Sequence, residues 1–214
     1  MSRRGKAFAV VLAALVAMVL VVANASAALV VNGAPLTVTG TAGTTRWISA
    51  GSGVTATCTR SVINDTVNAD GTSTIALGSA TFGPTCRESL LGASWVITQM
   101  AALRNLITAL LNGSGQIVGL RFDFIVPTRG IRVDAFGCSF YLSGTQSVLI
   151  PTAATTPPAL VSVSSLPFGD AALNLVIGSS SGILCGAIGI SDGAAARFEG
   201  TYSLSLAVSG TLVP

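Results

Sequence analysis

The feature that most constrains the fold is a two-residue alternation of apolar side chains within residues 117–142. Apolar residues occupy every second position from Val118 to Val126, and the spacing resumes from Ile131 to Ala135. A period of two is typical of a β-strand with one buried face, because successive side chains of a strand point to opposite sides. Turn-forming residues at 127–130 separate the two runs. We therefore predict a long β-hairpin with its turn at 127–130.

The apolar phase shifts by one position before Cys138, Phe140 and Leu142. One extra residue in a strand exchanges its two faces, and glycine tolerates the backbone conformation that such a β-bulge requires. The sequence therefore predicts a bulge at Phe136 and Gly137.

Short β-rich segments separated by Gly, Ser and Thr turns recur along the rest of the chain. Half of the residues are hydrophobic and 9% are charged, a balance that favours a packed core over disorder. We predict an all-β fold, a mainly antiparallel β-sandwich or barrel-like domain with one short inserted α-helix and two disulfides. The expected strands are 36–39, 54–59, 61–67, 72–77, 93–98, 145–150, 160–163, 173–177, 183–188, 195–200 and 202–208, with a loop at 151–158.

The inserted helix is predicted from Gln99 to Leu111. Apolar residues recur there at helical spacing, and Asn112-Gly113 is a plausible C-terminal cap. The β-branched and aromatic residues at 95–98 favour a strand just before it. A strand through the whole segment is the alternative.

The first 27 residues have the order of an export signal. Arg3, Arg4 and Lys6 precede an apolar run at 7–23, and small residues follow up to Ala27. We predict cleavage after Ala27, which leaves a single secreted domain over residues 28–214. An uncleaved N-terminal membrane anchor is the alternative, although the apolar run is shorter than the roughly 20 residues of a spanning helix.

Removal of the signal changes the charge balance. The whole chain has 11 basic and 8 acidic residues, and loss of Arg3, Arg4 and Lys6 leaves eight of each sign. Nucleic-acid binding requires clustered basic residues, and the sequence of the mature chain contains no such cluster. We therefore expect no nucleic-acid partner.

Cys58, Cys86, Cys138 and Cys185 are even in number and belong to a chain predicted to be exported. Two disulfides are therefore expected, and four cysteines allow three pairings. We favour Cys58–Cys86 and Cys138–Cys185, because each bridge joins neighbouring groups of strands. A zinc site is not expected, since the chain has no His and no Cys-x-x-Cys motif.

The absence of His excludes Ser-His-Asp and Cys-His catalysis, and carboxylates remain as the only acid–base groups. The predicted hairpin places Asp123 opposite Asp134 on the face away from the core, with Arg121 and Arg132 diagonal to them. Two close carboxylates could form a glycosidase dyad or a calcium site. We favour a solvated cluster of salt bridges, because the arginines neutralise the carboxylates.

Trp47 is the one residue that the sequence suggests as a ligand contact. It lies in a turn-rich region beside Arg46, where an exposed aromatic ring is expected. Trp95, in contrast, is expected in the core.

A set of spaced residues resembles a pattern of small exported proteins of high-GC actinobacteria. The pattern consists of Cys86, Trp95, Gly119, Cys138, Cys185 and the closing Phe198-x-Gly200-x-Tyr202. Those proteins are mostly uncharacterised and are regarded as β-sandwiches. The resemblance implies a β-sandwich and export, and it implies no activity.

We therefore expect an exported non-enzymatic protein that acts as a structural, surface-associated or binding module without a cofactor. Its expected partner is a cell-surface component or an apolar small molecule. The alternative is an apolar-ligand or lipid carrier, suggested by the mean hydropathy of +0.75. An apolar cavity beneath residues 99–111 would favour this carrier. A carboxylate-based hydrolase using Asp123 and Asp134 is the third hypothesis.

Overall fold

The computed structural model describes residues 28–83, 86–169 and 174–213, and their regular secondary structure is entirely β. The all-β, antiparallel prediction is confirmed. The fifteen strands are β1 Ala28–Val31, β2 Leu36–Ala42, β3 Thr45–Ser49, β4 Thr55–Cys58, β5 Ser61–Val67, β6 Thr72–Ile75, β7 Ala80–Thr81, β8 Cys86–Glu88, β9 Ser94–Gln99, β10 Leu103–Leu111, β11 Ile117–Ala135, β12 Cys138–Thr155, β13 Ala159–Phe168, β14 Leu175–Ser181 and β15 Ala195–Val213.

The predicted helix from Gln99 to Leu111 is wrong, because residues 103–111 form β10, which pairs with β6 and β11. The inward face of β10 includes Asn105 and Ala109, so its alternation is not visible as a pattern of large apolar residues. The outward Leu106 and Leu110 are half-buried and supply the apolar spacing that imitates a helix. Strand neighbours on both edges of β10 pair its backbone N–H and C=O groups, and this stabilises a strand over a helix.

The predicted positions of the turn and the bulge in the long hairpin are both wrong, because each lies where the other was expected. Phe136 and Gly137 form the hairpin turn, since Ala135 pairs with Cys138 and Gly137 has a φ of 66°. Residues 127–130 form the bulge, because Val126 pairs with Gly144 while Ile131 pairs with Leu142. The turn chemistry at 127–130 therefore bends a continuous strand instead of reversing it.

One half of the molecule is a closed ring of eight strands. The pairings run β3–β4–β8–β9–β11–β12–β14–β15, and β15 pairs back to β3. In β11 and β12 this ring uses the residues next to their turn. The core of the ring is aromatic, with Trp47 against Phe198 at 4.7 Å and Trp95 against Phe140 at 5.7 Å between ring centroids.

The other half is a rolled sheet, which we call the open roll. Its pairings run β13–β15–β2–β5–β6–β10–β11–β12, with β1 added beside the last residues of β15. Within the described residues, β12 and β13 share no hydrogen-bonded ladder, so the roll does not close. Phe122, Phe124, Phe168 and Tyr202 point into its interior.

Several strand boundaries differ from prediction because β12 and β15 are longer than their alternation suggests. β12 continues through part of the expected loop at 151–158, and β15 joins the two strands expected at 195–200 and 202–208. The strand expected at 183–188 is wrong, because this segment consists of turns closed by bonds such as Ile188 N to Leu184 O, 3.1 Å. The start of the strand expected at 173–177 lies outside the described residues.

Both predicted disulfides are confirmed, and both lie in the closed ring. Cys58 and Cys86 face each other directly on β4 and β8. Cys138 at the start of β12 bonds Cys185 in the turns that follow β14. We therefore call this closed ring of eight strands the stapled ring. Structural disulfides are typical of oxidising compartments, which agrees with an extracellular location.

Two buried glutamines connect strands where ladders are interrupted. β15 changes its neighbour from β14 to β13 between Ala196 and Gly200, and Gln146 of β12 fills the gap. Its Oε1 accepts the Phe198 N–H at 2.8 Å and its Nε2 donates to the Phe198 carbonyl. Gln99 likewise accepts from Ala80 N at 2.9 Å and donates to three backbone carbonyls.

The export signal predicted at 1–27 lies outside the described residues. Within the part of the chain that the structure covers, no helix has the length and apolar character needed to cross a bilayer.

The disulfide assignment predicts a large stability loss on removal of the Cys138–Cys185 bridge. The bridge closes a loop of 47 residues, and the chain-entropy model gives about 4 kcal/mol for it. Replacement of both cysteines by Ala should lower Tm by roughly 8–16 °C in thermal unfolding. Cys138→Ser alone should leave Cys185 as the only free thiol. Thiol labelling of the unmodified protein, followed by peptide mapping, would contradict the assignment if a native cysteine reacted.

The two hydrogen bonds between the Gln146 side chain and the Phe198 backbone predict that Gln146→Met destabilises the fold, although methionine has a side chain of similar length. The buried N–H and C=O of Phe198 would lose their partner, at about 1–3 kcal/mol for each group. We expect a fall of roughly 5–15 °C in Tm by calorimetry. Gln116→Met is the matched control, because the Gln116 side chain bonds only Asn112 at the β10–β11 turn. An equal fall in Tm for the two substitutions would contradict this role of Gln146.

Candidate ligand-binding site

The interior of the open roll contains a cavity of about 50 Å³. Seven strands contribute to its wall, namely β2, β5, β6, β10, β11, β13 and β15. The wall is apolar over most of its area, with side chains such as Ile63, Ile75, Ile107, Phe122, Phe124 and Phe168. The cavity therefore lies beneath β10, the segment for which the sequence predicted a helix.

Three adjacent strands place a polar cluster in this apolar wall. Asp65 of β5, Ser73 of β6 and Asn105 of β10 all line the cavity. Ser73 pairs directly with Asn105, and Val67, two residues from Asp65 on the same face, pairs with Ser73. The alternation of each strand therefore directs these polar side chains inward together.

The cluster is joined by hydrogen bonds to one carboxylate oxygen. Asp65 Oδ2 accepts from Ser73 Oγ at 2.7 Å and from Asn105 Nδ2 at 2.8 Å. Asn105 Nδ2 also lies 3.0 Å from Ser73 Oγ. A carboxylate only accepts hydrogen bonds, so the amide nitrogen of Asn105 must face Asp65. This fixes Asn105 Oδ1 as an acceptor that points elsewhere.

Two acceptors of the cluster are buried without a hydrogen-bond partner. They are Asp65 Oδ1 and Asn105 Oδ1. Asn105 is 3% exposed, so little solvent reaches its amide. Unpaired buried acceptors cost free energy, and a native fold that retains them requires an explanation.

Burial raises the pKa of Asp65 above its ordinary value of 3.8, against the lowering effect of bonds from Ser73, Asn105 and the Thr66 backbone. None of the ion pairs among the described residues involves Asp65. Among the described residues that line the cavity, Asp65 is also the only one with a charged side chain. An ionised Asp65 therefore places an uncompensated charge beside apolar surface.

The opposite wall is built around Phe168 of β13. Its ring lies 5.8 Å from Phe122, 5.9 Å from Phe124 and 6.0 Å from Tyr202, all in edge-to-face geometry. Burial raises the pKa of Tyr202 well above its ordinary value, so its hydroxyl stays neutral. This wall is rigid and uncharged.

A gap in strand pairing lies beside the cavity. Val208 and Ser203 of β15 pair with Val163 and Ser165 of β13, so residues 204–207 have no partner on β13. On the other edge, β2 pairs only at 203–204 and β1 begins at 210. Leu206 in this segment is 53% exposed, and Leu204 lines the cavity while only half-buried. The segment 204–207 therefore separates the cavity from solvent with little backbone support.

Trp47 is not an exposed ligand contact, so that prediction is wrong. It is 3% exposed and packs at 5.2 Å against Phe82 and 4.7 Å against Phe198. Its neighbour Arg46 points to solvent, because adjacent strand residues face opposite sides. Trp95 is buried, as expected.

The predicted opposition of Asp123 and Asp134 is also wrong. Both lie on β11, and Asp123 pairs with Ser147 while Asp134 pairs with Ser139. Ser147 and Ser139 are eight residues apart on β12, so at about 3.3 Å per residue the two aspartates stand roughly 26 Å apart. Two separate pairs form instead, Arg121 with Asp123 at 2.7 Å and Arg132 with Asp134 at 2.8 Å. In the described residues no group of three or more His, Cys, Asp or Glu side chains could hold a metal ion.

Sequence reasoning located the strand 61–67 but did not single out Asp65. A signal for it exists, since Asp65 occupies the same alternation phase as Ile63 and Val67. A carboxylate on an inward phase is unusual and is a marker of a functional position. Asn105 carried no such signal, because its segment was assigned to the wrong periodicity.

Comparison of the chain with protein-family models, with curated proteins and with solved structures finds no match. The candidate site therefore rests on the geometry of this chain alone.

The raised pKa of Asp65 predicts a specific pH dependence of stability. Above pH 3.8 the unfolded chain releases this proton before the folded chain does, so the free energy of unfolding falls as pH rises through the folded pKa. Asp65→Asn removes the ionisable group and therefore this pH-dependent fall in the free energy of unfolding. The Tm of the Asp65→Asn variant, relative to the unmodified protein, should therefore rise between pH 4 and neutrality.

Asp70→Asn is the matched control with the opposite sign. Bonds from the Thr72 hydroxyl and N–H lower the pKa of Asp70, so its stabilisation is present above pH 3.8 and is lost as pH falls through the folded pKa. Asp70→Asn should cost stability at neutral pH and little in acid. Parallel pH profiles for Asp65→Asn and the unmodified protein would contradict the assignment.

Proposed function

We propose that this chain is an exported, non-enzymatic binding protein that carries a small, mainly apolar molecule in the open roll. The observation that supports the proposal is the cavity of about 50 Å³ with apolar walls and a single polar spot. Binding sites for small molecules combine apolar walls with a few converging polar groups in this way. The cavity lies where the carrier hypothesis expected one, beneath residues 99–111.

The cavity size limits the ligand. A cavity near 150 Å³ accommodates benzene, and one water requires about 10–15 Å³. A volume of about 50 Å³ therefore accepts only a few non-hydrogen atoms. A longer apolar chain would extend past Leu204 toward the weakly supported segment 204–207. Short linear molecules fit this geometry better than rings or branched lipids.

Export supports the carrier role. We infer that residues 1–27 direct secretion and are removed after Ala27, so that the stapled ring forms in an oxidising compartment. Outside the cell an apolar molecule is poorly soluble, and a protein interior is a favourable place for it. The same protein could equally serve a structural or surface-associated role without this ligand, and the binding experiment below separates the two.

A hydrolase based on Asp123 and Asp134 has no geometric support, since the two carboxylates are far apart on β11. Each is bonded to its own arginine, Asp123 to Arg121 and Asp134 to Arg132. The chemistry of the cavity is therefore recognition of a ligand by shape and hydrogen bonding.

The carrier proposal predicts that Gly40→Ala weakens binding of a short-chain alcohol. A Cβ at Gly40 would meet Tyr202 Cδ1 at 3.4 Å and Leu204 Cδ2 at 3.5 Å, so a methyl group fits and reduces the cavity. Loss of one buried methylene is worth about 0.8 kcal/mol, or roughly a fourfold rise in Kd. Saturation-transfer NMR with 1-butanol measures this change.

Gly178→Ala is the matched control. Gly178 is a strand glycine in β14 with open space at its Cβ position, and β14 contributes nothing to the cavity wall. Its Kd should equal that of the unmodified protein. Absence of 1-butanol binding to the unmodified protein, together with no co-purifying molecule in mass spectrometry of the exported form, would reject the carrier function.

A further inference from the structure

Both unpartnered atoms of the polar cluster are acceptors, and this points to the chemistry of the ligand. The Tyr202 hydroxyl of the opposite wall is also buried without a partner, and it lies outside the cluster. Asp65 Oδ1 and Asn105 Oδ1 are both buried without a partner, and their residues both line the cavity. The donors of the cluster, Ser73 Oγ and Asn105 Nδ2, are already directed at Asp65 Oδ2. A ligand at this spot must therefore bring donors.

We propose that the polar cluster of Asp65, Ser73 and Asn105 binds the ammonium group of a small primary alkylamine whose alkyl chain occupies the apolar part of the cavity. This inference rests on the carrier function and specifies its ligand class. The ammonium donates to Asp65 Oδ1 and Asn105 Oδ1, and its charge neutralises the carboxylate.

Charge distinguishes an amine from an alcohol at this site. Within the part of the chain that the structure describes, Asp65 forms no ion pair and the cavity wall contains no other charged side chain. Asp65 is half-buried and its Oδ1 is buried, so the carboxylate without a counter-ion carries a desolvation cost that a cation of the ligand would reduce. A hydroxyl brings one donor and no charge, whereas an ammonium brings three donors and a full positive charge.

The remaining walls fit the rest of such a molecule. The area facing the cavity is almost wholly apolar, from Ile75 and Ile107 across to the Phe168 wall. Apart from the cluster, the Tyr202 hydroxyl is the one polar side-chain group among the described residues of the wall, so a second charged group of the ligand would find no opposite charge there. The site therefore selects one cationic end and an unbranched apolar body.

The test compares 1-aminobutane with 1-butanol on the unmodified protein at neutral pH, by competition in saturation-transfer NMR. The two molecules have the same length and differ only in the head group. A charge-assisted hydrogen bond is stronger than a neutral one by an amount that corresponds to about tenfold in Kd. We expect the amine to bind at least about tenfold more tightly.

Asp65→Asn should remove this preference, because the variant keeps the shape of the side chain and lacks its charge. Asp70→Asn is the matched control, since it makes the same change in net charge at an exposed turn. It should retain the preference. The comparison on the unmodified protein stands even if Asp65→Asn fails to fold.

The outcomes separate the two proposals. Binding of 1-butanol without preference for the amine, or a preference that survives Asp65→Asn, overturns the head-group assignment and leaves the carrier function intact. Binding of neither molecule rejects the head-group assignment, and together with the absence of a co-purifying molecule it rejects the carrier function as well. An equal loss of amine preference in Asp70→Asn would show that net charge of the whole protein, and not Asp65, attracts the amine.

Discussion

The structure depends on three strands that run through both of its halves. β11, β12 and β15 are 18 or 19 residues long, and each changes its hydrogen-bonding neighbours along its length, β11 and β12 near the middle and β15 between Ala196 and Gly200. A strand shared in this way must present an inward face to two interiors, one closed and aromatic and one rolled and partly empty. The bulge at 127–130 lets β11 change direction between them, and β15 passes from one to the other at residues 196–200. Seven of the other twelve strands pair directly with these three, and the remaining five are joined to them through other strands.

Buried amides hold the places where the shared strands exchange neighbours. A backbone without a neighbouring strand would leave N–H and C=O groups unpaired in the core. Gln146 and Gln99 supply those bonds from side chains, and both are almost fully buried. Asn105 belongs to the same class of buried amide, but only its nitrogen is used within the protein. This difference distinguishes the structural amides of Gln146 and Gln99 from that of Asn105, whose oxygen we assign to a ligand.

The period-two alternation was enough to predict an all-β fold and the main strands, because a strand with one buried face has apolar residues at every second position of its sequence. The cysteine pairs were predictable for a related reason, since each joins neighbouring segments. The helix was mispredicted where the inward residues of β10 are Asn105 and Ala109, which carry no apolar signal. Trp47 was misplaced because turn-rich composition does not determine which way one side chain points. The cavity depends on how seven strands curve together, and no local pattern encodes that curvature.

Both disulfides lie in the stapled ring, and neither crosses the open roll. Each bridge keeps the two ring segments that it joins together even when the strands between them, β5 and β6 or β13 of the roll, separate from their neighbours. The two halves of one chain therefore need not share one opening free energy, and the roll is free to act as a separate cooperative unit, or foldon. Partial opening of that foldon would give a guest molecule a route in and out while the cross-linked half keeps β11, β12 and β15 in register. Exchange of cargo and persistence of the fold would then be governed by different parts of the same strands.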